Sequence, residues 1–115
     1  MSSTLPELVE LEREGESTAR LKLRLPKDLV YFSGHFPEVA ILPAVAQIDW
    51  ALHFAVELFG VEIAFRGMDR LKFRQVLLPE DEPELRLELA ADRGELEFSY
   101  TTARGRHSSG HLLIA

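Results

Sequence analysis

The stretch from Ala44 to Phe59 leaves this chain few ways to fold. It carries alanine, leucine and other apolar side chains on nearly every face, with Pro43 before it and Gly60 just after it. Proline suits the start of a helix because its missing N–H would have no partner there. Glycine suits the end because it adopts the left-handed backbone without strain. A helix that is apolar almost all round must be buried almost all round, so the rest of the chain has to surround it. Its polar residues share one stripe: Asp49, His53 and Glu57 follow one another at i, i+4 and i+8.

The flanking segments carry the other period. Arg20 to Leu25 alternates polar and apolar strictly, as a half-buried strand does, and Leu25-Pro26-Lys27-Asp28 is a turn. Ile63 to Gln75 mixes β-branched and aromatic residues with charges and is closed by Leu77-Leu78-Pro79-Glu80-Asp81. Glu84 to Leu89 alternates, Asp92-Arg93-Gly94 predicts a hairpin turn, and Glu95 to Tyr100 alternates again. Ala103-Arg104-Gly105-Arg106 predicts a further turn before a last strand ending in Leu112-Leu113-Ile114. One long helix and about five antiparallel strands make an α+β layer, a curved antiparallel sheet wrapped around a central helix. With 115 residues and no linker, residues 1–115 are expected to form a single domain. A sheet of this size has open edges, so dimerisation is expected to cover them.

Charge and composition exclude several classes of function. Nineteen acidic side chains against thirteen basic ones leave a net charge of −6, which disfavours generic nucleic-acid binding. The chain has no cysteine, so disulfides, thiolate metal sites and cysteine nucleophiles are out, and a reducing compartment fits. The first residues show no basic segment leading into an apolar run, so no secretory signal is expected. Between Ile41 and Phe59 the apolar run is broken by Gln47, Asp49, His53 and Glu57, which argues against a membrane span. A cytoplasmic domain is the expectation.

The chemistry-bearing stretch is Tyr31-Phe32-Ser33-Gly34-His35-Phe36-Pro37, followed by Ile41-Leu42-Pro43-Ala44-Val45 and the helix with Asp49. Gly34 permits unusual backbone angles, Pro37 and Pro43 restrict their neighbours, and aromatic residues bracket one histidine. This loop feeds into a helix start, where free N–H groups favour developing negative charge. A carboxylate at Asp49, in so apolar a helix, is costly unless paired or protonated. Two titratable groups pushed in different directions suggest an acid and a base. A packed or capping histidine and a merely structural aspartate remain the competing interpretation.

The combination Gly34-His35-Phe36-Pro37, Ile41-Leu42-Pro43-Ala44-Val45 and Asp49 resembles the signature of the 3-hydroxyacyl-[acyl-carrier-protein] dehydratases, which are hotdog-fold dimers. The fourteen residues from His35 to Asp49 match that family's spacing, and Lys72-Phe73-Arg74 with Leu78-Pro79-Glu80-Asp81 resembles its following strand and turn. Val45-Ala46-Gln47-Ile48-Asp49-Trp50 with His53 is most similar to the dehydratase-like proteins of aryl polyene pigment clusters. The resemblance implies that His35 removes the α-proton of a 3-hydroxyacyl thioester. Asp49 from the partner subunit would then protonate the departing hydroxyl. The N–H of Ala44 would hold the carbonyl oxygen as charge develops, beside Gly34 and Phe36 in the substrate loop. It also implies a substrate on acyl carrier protein or coenzyme A, its phosphopantetheine arm arriving with it, and no metal or other cofactor. The dimer would be homotypic or formed with a related hotdog subunit.

The chain departs from the family pattern with Ala44 for glycine, Ala40 and Val76 for proline, Glu80 for glycine, and His53 where glutamine is common. Arg66, Arg70, Lys72 and Arg74 form the main basic cluster, either a solvated strand face or a landing site for an acidic carrier protein. His107 and His111 would stand about 13 Å apart on a strand, too far to share a metal ion. Trp50 and the phenylalanines suit a core or an acyl tunnel. An acyl thioesterase and a non-catalytic partner subunit are the alternative readings.

Overall fold

In the computed structural model, residues 4–32, 40–60 and 64–114 are described. They form strands β1 (Glu7–Glu14) and β2 (Thr18–Arg24), helix α1 (Ala44–Phe59), and strands β3 (Phe65–Phe73), β4 (Glu84–Ala90), β5 (Glu95–Thr102) and β6 (Gly105–Ile114). The strands make one sheet in the order β1-β2-β4-β5-β6-β3, with every pair antiparallel. The α+β architecture is as the alternation predicts, with one more strand than expected. The addition is β1, exposed along its whole length. Its alternation breaks at Leu8-Val9, where a bulge shifts its register against β2, so the period of two is lost in the sequence. The strand expected over Ile63–Gln75 is shorter, covering Phe65–Phe73.

The alternating residues do what their period requires. Leu21 and Leu23 of β2, Leu85 and Leu87 of β4, Leu96, Phe98 and Tyr100 of β5, and Leu112 of β6 are all fully buried. They share one face of the sheet, and α1 covers it with Ala46, Trp50, Ala51, Phe54 and Ala55. Trp50 also donates from Nε1 to the carbonyl of Thr4 at 2.9 Å, which anchors the chain before β1 across the helix. The helix is not buried all round, as its composition suggested. Val45 and Val56 are exposed, and Asp49 and Glu57 face outward with them. The apolar residues exceed what one sheet face can cover.

The turns follow their chemistry. Gly60 ends α1 with φ 63°, its N–H bonded to the Val56 carbonyl at 3.2 Å. Gly94, also at φ 63°, closes the β4–β5 connection where a Cβ would stand 2.7 Å from the Ile114 oxygen, so a side chain is excluded twice over. Leu78-Pro79-Glu80-Asp81 is a turn whose third residue needs positive φ, and Glu80 takes it at 69°. Glycine, the residue the family resemblance would place there, takes that angle without strain.

Candidate active site

The start of α1 faces a hollow of about 240 Å³. One wall is Ile41, Leu42, Pro43, Ala44 and Gln47; the other is Phe73, Arg74, Gln75 and Val76. Pro43 occupies the N-cap and has no side-chain acceptor to offer. The N–H groups of Ala44, Val45 and Ala46 therefore find no acceptor among the described residues; the Gln47 N–H, the next in line, bonds the Pro43 carbonyl at 3.3 Å. Unpaired N–H groups at the positive end of a sixteen-residue helix favour an oxygen that gains negative charge.

Buried polar groups hold both walls. Leu42 is fixed at both backbone atoms: its N–H donates to the Leu77 carbonyl at 2.9 Å and its carbonyl accepts from Gln47 Nε2 at 3.3 Å. Gln47 Oε1 in turn accepts from the Ser108 hydroxyl, and the Gln47 carbonyl accepts from the Tyr100 hydroxyl at 2.6 Å. On the other wall, His107 donates from Nδ1 to the Val76 carbonyl at 3.0 Å, while its own carbonyl accepts from the Arg74 N–H at 2.8 Å. A carbonyl can only accept, so the proton sits on Nδ1, and Nε2 is left for the Thr102 hydroxyl at 2.7 Å. Gln75 donates to the carbonyls of Arg104 and Arg106, both at 3.2 Å. Arg104 makes a two-pronged pair with Asp81, whose carboxylate also accepts from the Leu78 N–H at 2.8 Å. Burial pushes the Asp81 carboxyl up, but those donors outweigh it and hold it below the usual carboxylate range. Burial alone pushes the Tyr100 phenol well above its usual value.

The residues singled out in the sequence fall in several places. Ala44 is the first residue of α1 and lines the hollow. Gly34, His35 and Phe36 lie outside the described residues. Asp49 is exposed on α1, without a hydrogen bond or ion pair among the described residues, and does not line the hollow. The dry surroundings expected for its carboxyl are thus not provided by its own chain, because the face that carries it points away from the sheet. His53 lies 3.3 Å from Glu57 and packs edge-on against Phe54. Arg70, Lys72 and Arg74 surround a second hollow of about 190 Å³ with Glu97, Arg106, Ser109 and His111; Arg66 is exposed but does not line it. A bulge between Asp69 and Lys72, with Arg70 at φ 52°, breaks the ladder beside it.

Sequence reasoning missed Gln47, Ser108, Tyr100 and His107 as a set. Of the phenylalanines, Phe32, Phe54 and Phe98 are core, whereas Phe65 and Phe73 are exposed. By register Phe65, Met68 and Phe73 lie opposite Ile114, Leu112 and Ser108, all buried, so they extend the core face out to the open edge of β3.

The family model for ApeI-like proteins, described as ApeI dehydratase, matches residues 11–111. The chain belongs to the ApeI-like dehydratase family. Among solved structures, a chain of the dehydratase heterocomplex ApeI:P from Xenorhabdus doucetiae superposes with a TM-score of 0.91 at 30% identity, over 96% of this chain and 98% of that one. An uncharacterized protein from Erwinia carotovora subsp. atroseptica superposes with a TM-score of 0.87 at 31% identity, over 96% of each chain. Among curated relatives, the 3-hydroxyacyl-[acyl-carrier-protein] dehydratase FabZ of Clostridium botulinum is 35% identical over 94 residues. That alignment takes in 76% of this chain and 64% of the relative, so the chain spans less than two thirds of the curated relative's length. The fold is the hotdog fold of ApeI-like dehydratases, and the match takes in Ala44, Asp49, Gln47, Tyr100 and Ser108 alike.

Proposed function

We propose that this protein eliminates water from a 3-hydroxyacyl thioester to give a trans-2-enoyl thioester, in fatty-acid or aryl-polyene-type synthesis. The observation that carries this reading is the helix start: the Ala44 N–H has no acceptor among the described residues, and Ala44 lines a largely apolar hollow in a chain of the ApeI-like family. The α-proton of a thioester is acidic only insofar as its carbonyl oxygen can take up charge. A donor aimed at that oxygen lowers the barrier where charge develops.

In this scheme His35 takes the α-proton, and the electron pair moves onto the carbonyl oxygen held by the Ala44 N–H. It returns to form the double bond as the 3-hydroxyl leaves with a proton from Asp49. Water is the second product; with no net oxidation the elimination calls for no redox cofactor, and with the Ala44 N–H taking the carbonyl charge the scheme calls for no metal. Asp49 does not line the hollow of its own chain, so the acid is supplied by a second subunit. The exposed Phe65, Met68 and Phe73 along the β3 edge support a partner there, either a second copy or a related hotdog chain. The heterocomplex found for the Xenorhabdus protein favours considering both. Packing against that partner would also remove Asp49 from water and favour its protonated form.

The substrate arrives on acyl carrier protein or coenzyme A. Arg66, Arg70, Lys72 and Arg74 supply a local positive field on a chain of net charge −6, suited to an acidic carrier. No helix among the described residues is long and apolar enough to cross a membrane, and a cytoplasmic site of action fits the carrier-bound substrate. Intact-mass spectrometry of a 3-hydroxyacyl carrier protein tests the reading. Loss of one water, reversed when the enoyl form is supplied, is expected. Loss of the whole acyl group would mean a thioesterase, and an unchanged mass across chain lengths would mean a non-catalytic subunit.

A further inference from the structure

We propose that Gln47 and Ser108 are a positioning pair that sets the aim of the Ala44 N–H, and hence the rate of the reaction. The proposal rests on the dehydratase reading above. Gln47 is 3% exposed and Ser108 1% exposed, so neither amide nor hydroxyl has water to turn to. The amide can sit only one way round, because its NH₂ must face the Leu42 carbonyl and its oxygen the Ser108 hydroxyl. That single orientation links β6 to the residue two before Ala44. Leu42 is held from its other side by Leu77, so the last peptide units before the helix are fixed between two elements of the core. Pro43 and Ala44 follow directly, and their backbone direction is set by that anchor.

No side chain among the described residues caps the helix to perform this task, since Pro43 cannot. Gln47 reaches back from the first turn in place of a cap, and Ser108 keeps it there. Removing the Ser108 hydroxyl leaves the Gln47 oxygen without a donor in a dry site, a condition buried amides do not tolerate. The unsatisfied amide then turns within the core to find another donor, which releases the Leu42 carbonyl. The oxyanion donor then loses its fixed direction, and a displacement of about 1 Å at such a donor costs up to ~100-fold in rate.

The test compares wild type with Ser108→Ala, Gln47→Met, the double variant and Ser108→Thr, using a 3-hydroxyacyl pantetheine thioester. The expected result is a fall in kcat of about tenfold or more with KM nearly unchanged, because the donor acts in the transition state. Ser108→Thr keeps the hydroxyl and should restore turnover. The double variant should be no slower than the worse single one, since the two residues act through one contact chain. Ser108→Ala decides the matter if Gln47→Met does not fold. A lowered melting temperature with unchanged kcat would overturn the proposal and leave the pair a purely structural role. So would a raised KM at constant kcat. A wild-type protein that loses no water from any 3-hydroxyacyl thioester would overturn the dehydratase reading itself, and the positioning role with it.

Discussion

Replacing Tyr100 with phenylalanine removes one oxygen from the driest part of the core, and the structure sets both the size and the pH dependence of the effect. The hydroxyl is fully buried and donates to the Gln47 carbonyl at 2.6 Å. That carbonyl also belongs to the first turn of α1, so it keeps the intrahelical bond from four residues on. The variant therefore strands no group completely, and the loss falls at the low end for a buried hydrogen bond, about 1–1.5 kcal/mol. For a chain of this length that is a drop in Tm of roughly 4–6 °C. Burial raises the phenol's pKa in the folded state, so the folded form keeps its proton where the unfolded form releases it. Stability from the neutral phenol is thus complete below about pH 10 and is lost as pH rises above it, by ~1.4 kcal/mol per pH unit. Phenylalanine cannot ionise, so wild type and variant should converge near pH 11. Urea unfolding at fixed protein concentration, at pH 8 and pH 11, reads both quantities. Equal midpoints at pH 8, or a gap that does not narrow at pH 11, would refute the buried hydroxyl bond.

Three further outcomes follow from the same geometry. Asp81→Ala removes the acceptor of the Leu78 N–H and should cost about 1 kcal/mol at neutral pH; the half-exposed Arg104 end adds little because water screens it. Because the Asp81 carboxyl is held below its usual range, its contribution is present above about pH 4 and fades as pH falls further, so wild type and variant should converge in acid unfolding. Gly94→Ala forces a Cβ against the Ile114 oxygen at an unfavourable φ and should lower stability by about 1–3 kcal/mol, measured by urea midpoint. Reversing Arg70 and Lys72 to glutamate should raise KM for carrier-protein-bound substrate at low salt while sparing a free pantetheine thioester. Equal effects on both would rule out a docking role.

The fold was legible where period and punctuation agree. Leu21, Leu23, Leu85, Leu87, Leu96 and Phe98 alternate without interruption, and Gly60 and Gly94 mark the ends they occupy in space. Strand β1 was not legible, because Leu8 and Val9 are adjacent and the bulge absorbs the extra residue. The helix was legible as a helix but not as a half-covered one. Sequence counts the apolar residues and does not show that Val45 and Val56 face away from the sheet that covers the other side of the helix. At the site, Ala44 and the helix start followed from Pro43. The supports did not, because Gln47 meets Ser108 across 61 residues and Tyr100 across 53. His107 was hidden for a related reason: a register shift between Tyr100 and Thr101 brings two consecutive residues, His107 and Ser108, into the interior, which strict alternation forbids.

The composite site is the centre of the account, and mixing two inactive variants tests it most directly. His35→Ala and Asp49→Asn should each abolish water loss from a 3-hydroxyacyl carrier protein while remaining folded dimers. Unfolded together and refolded as an equal mixture, they should recover about a quarter of wild-type turnover. Half the dimers are then mixed, and each of those holds one site with both groups intact. A mixture as inactive as its parents, from dimers shown to have exchanged subunits, would contradict the shared site.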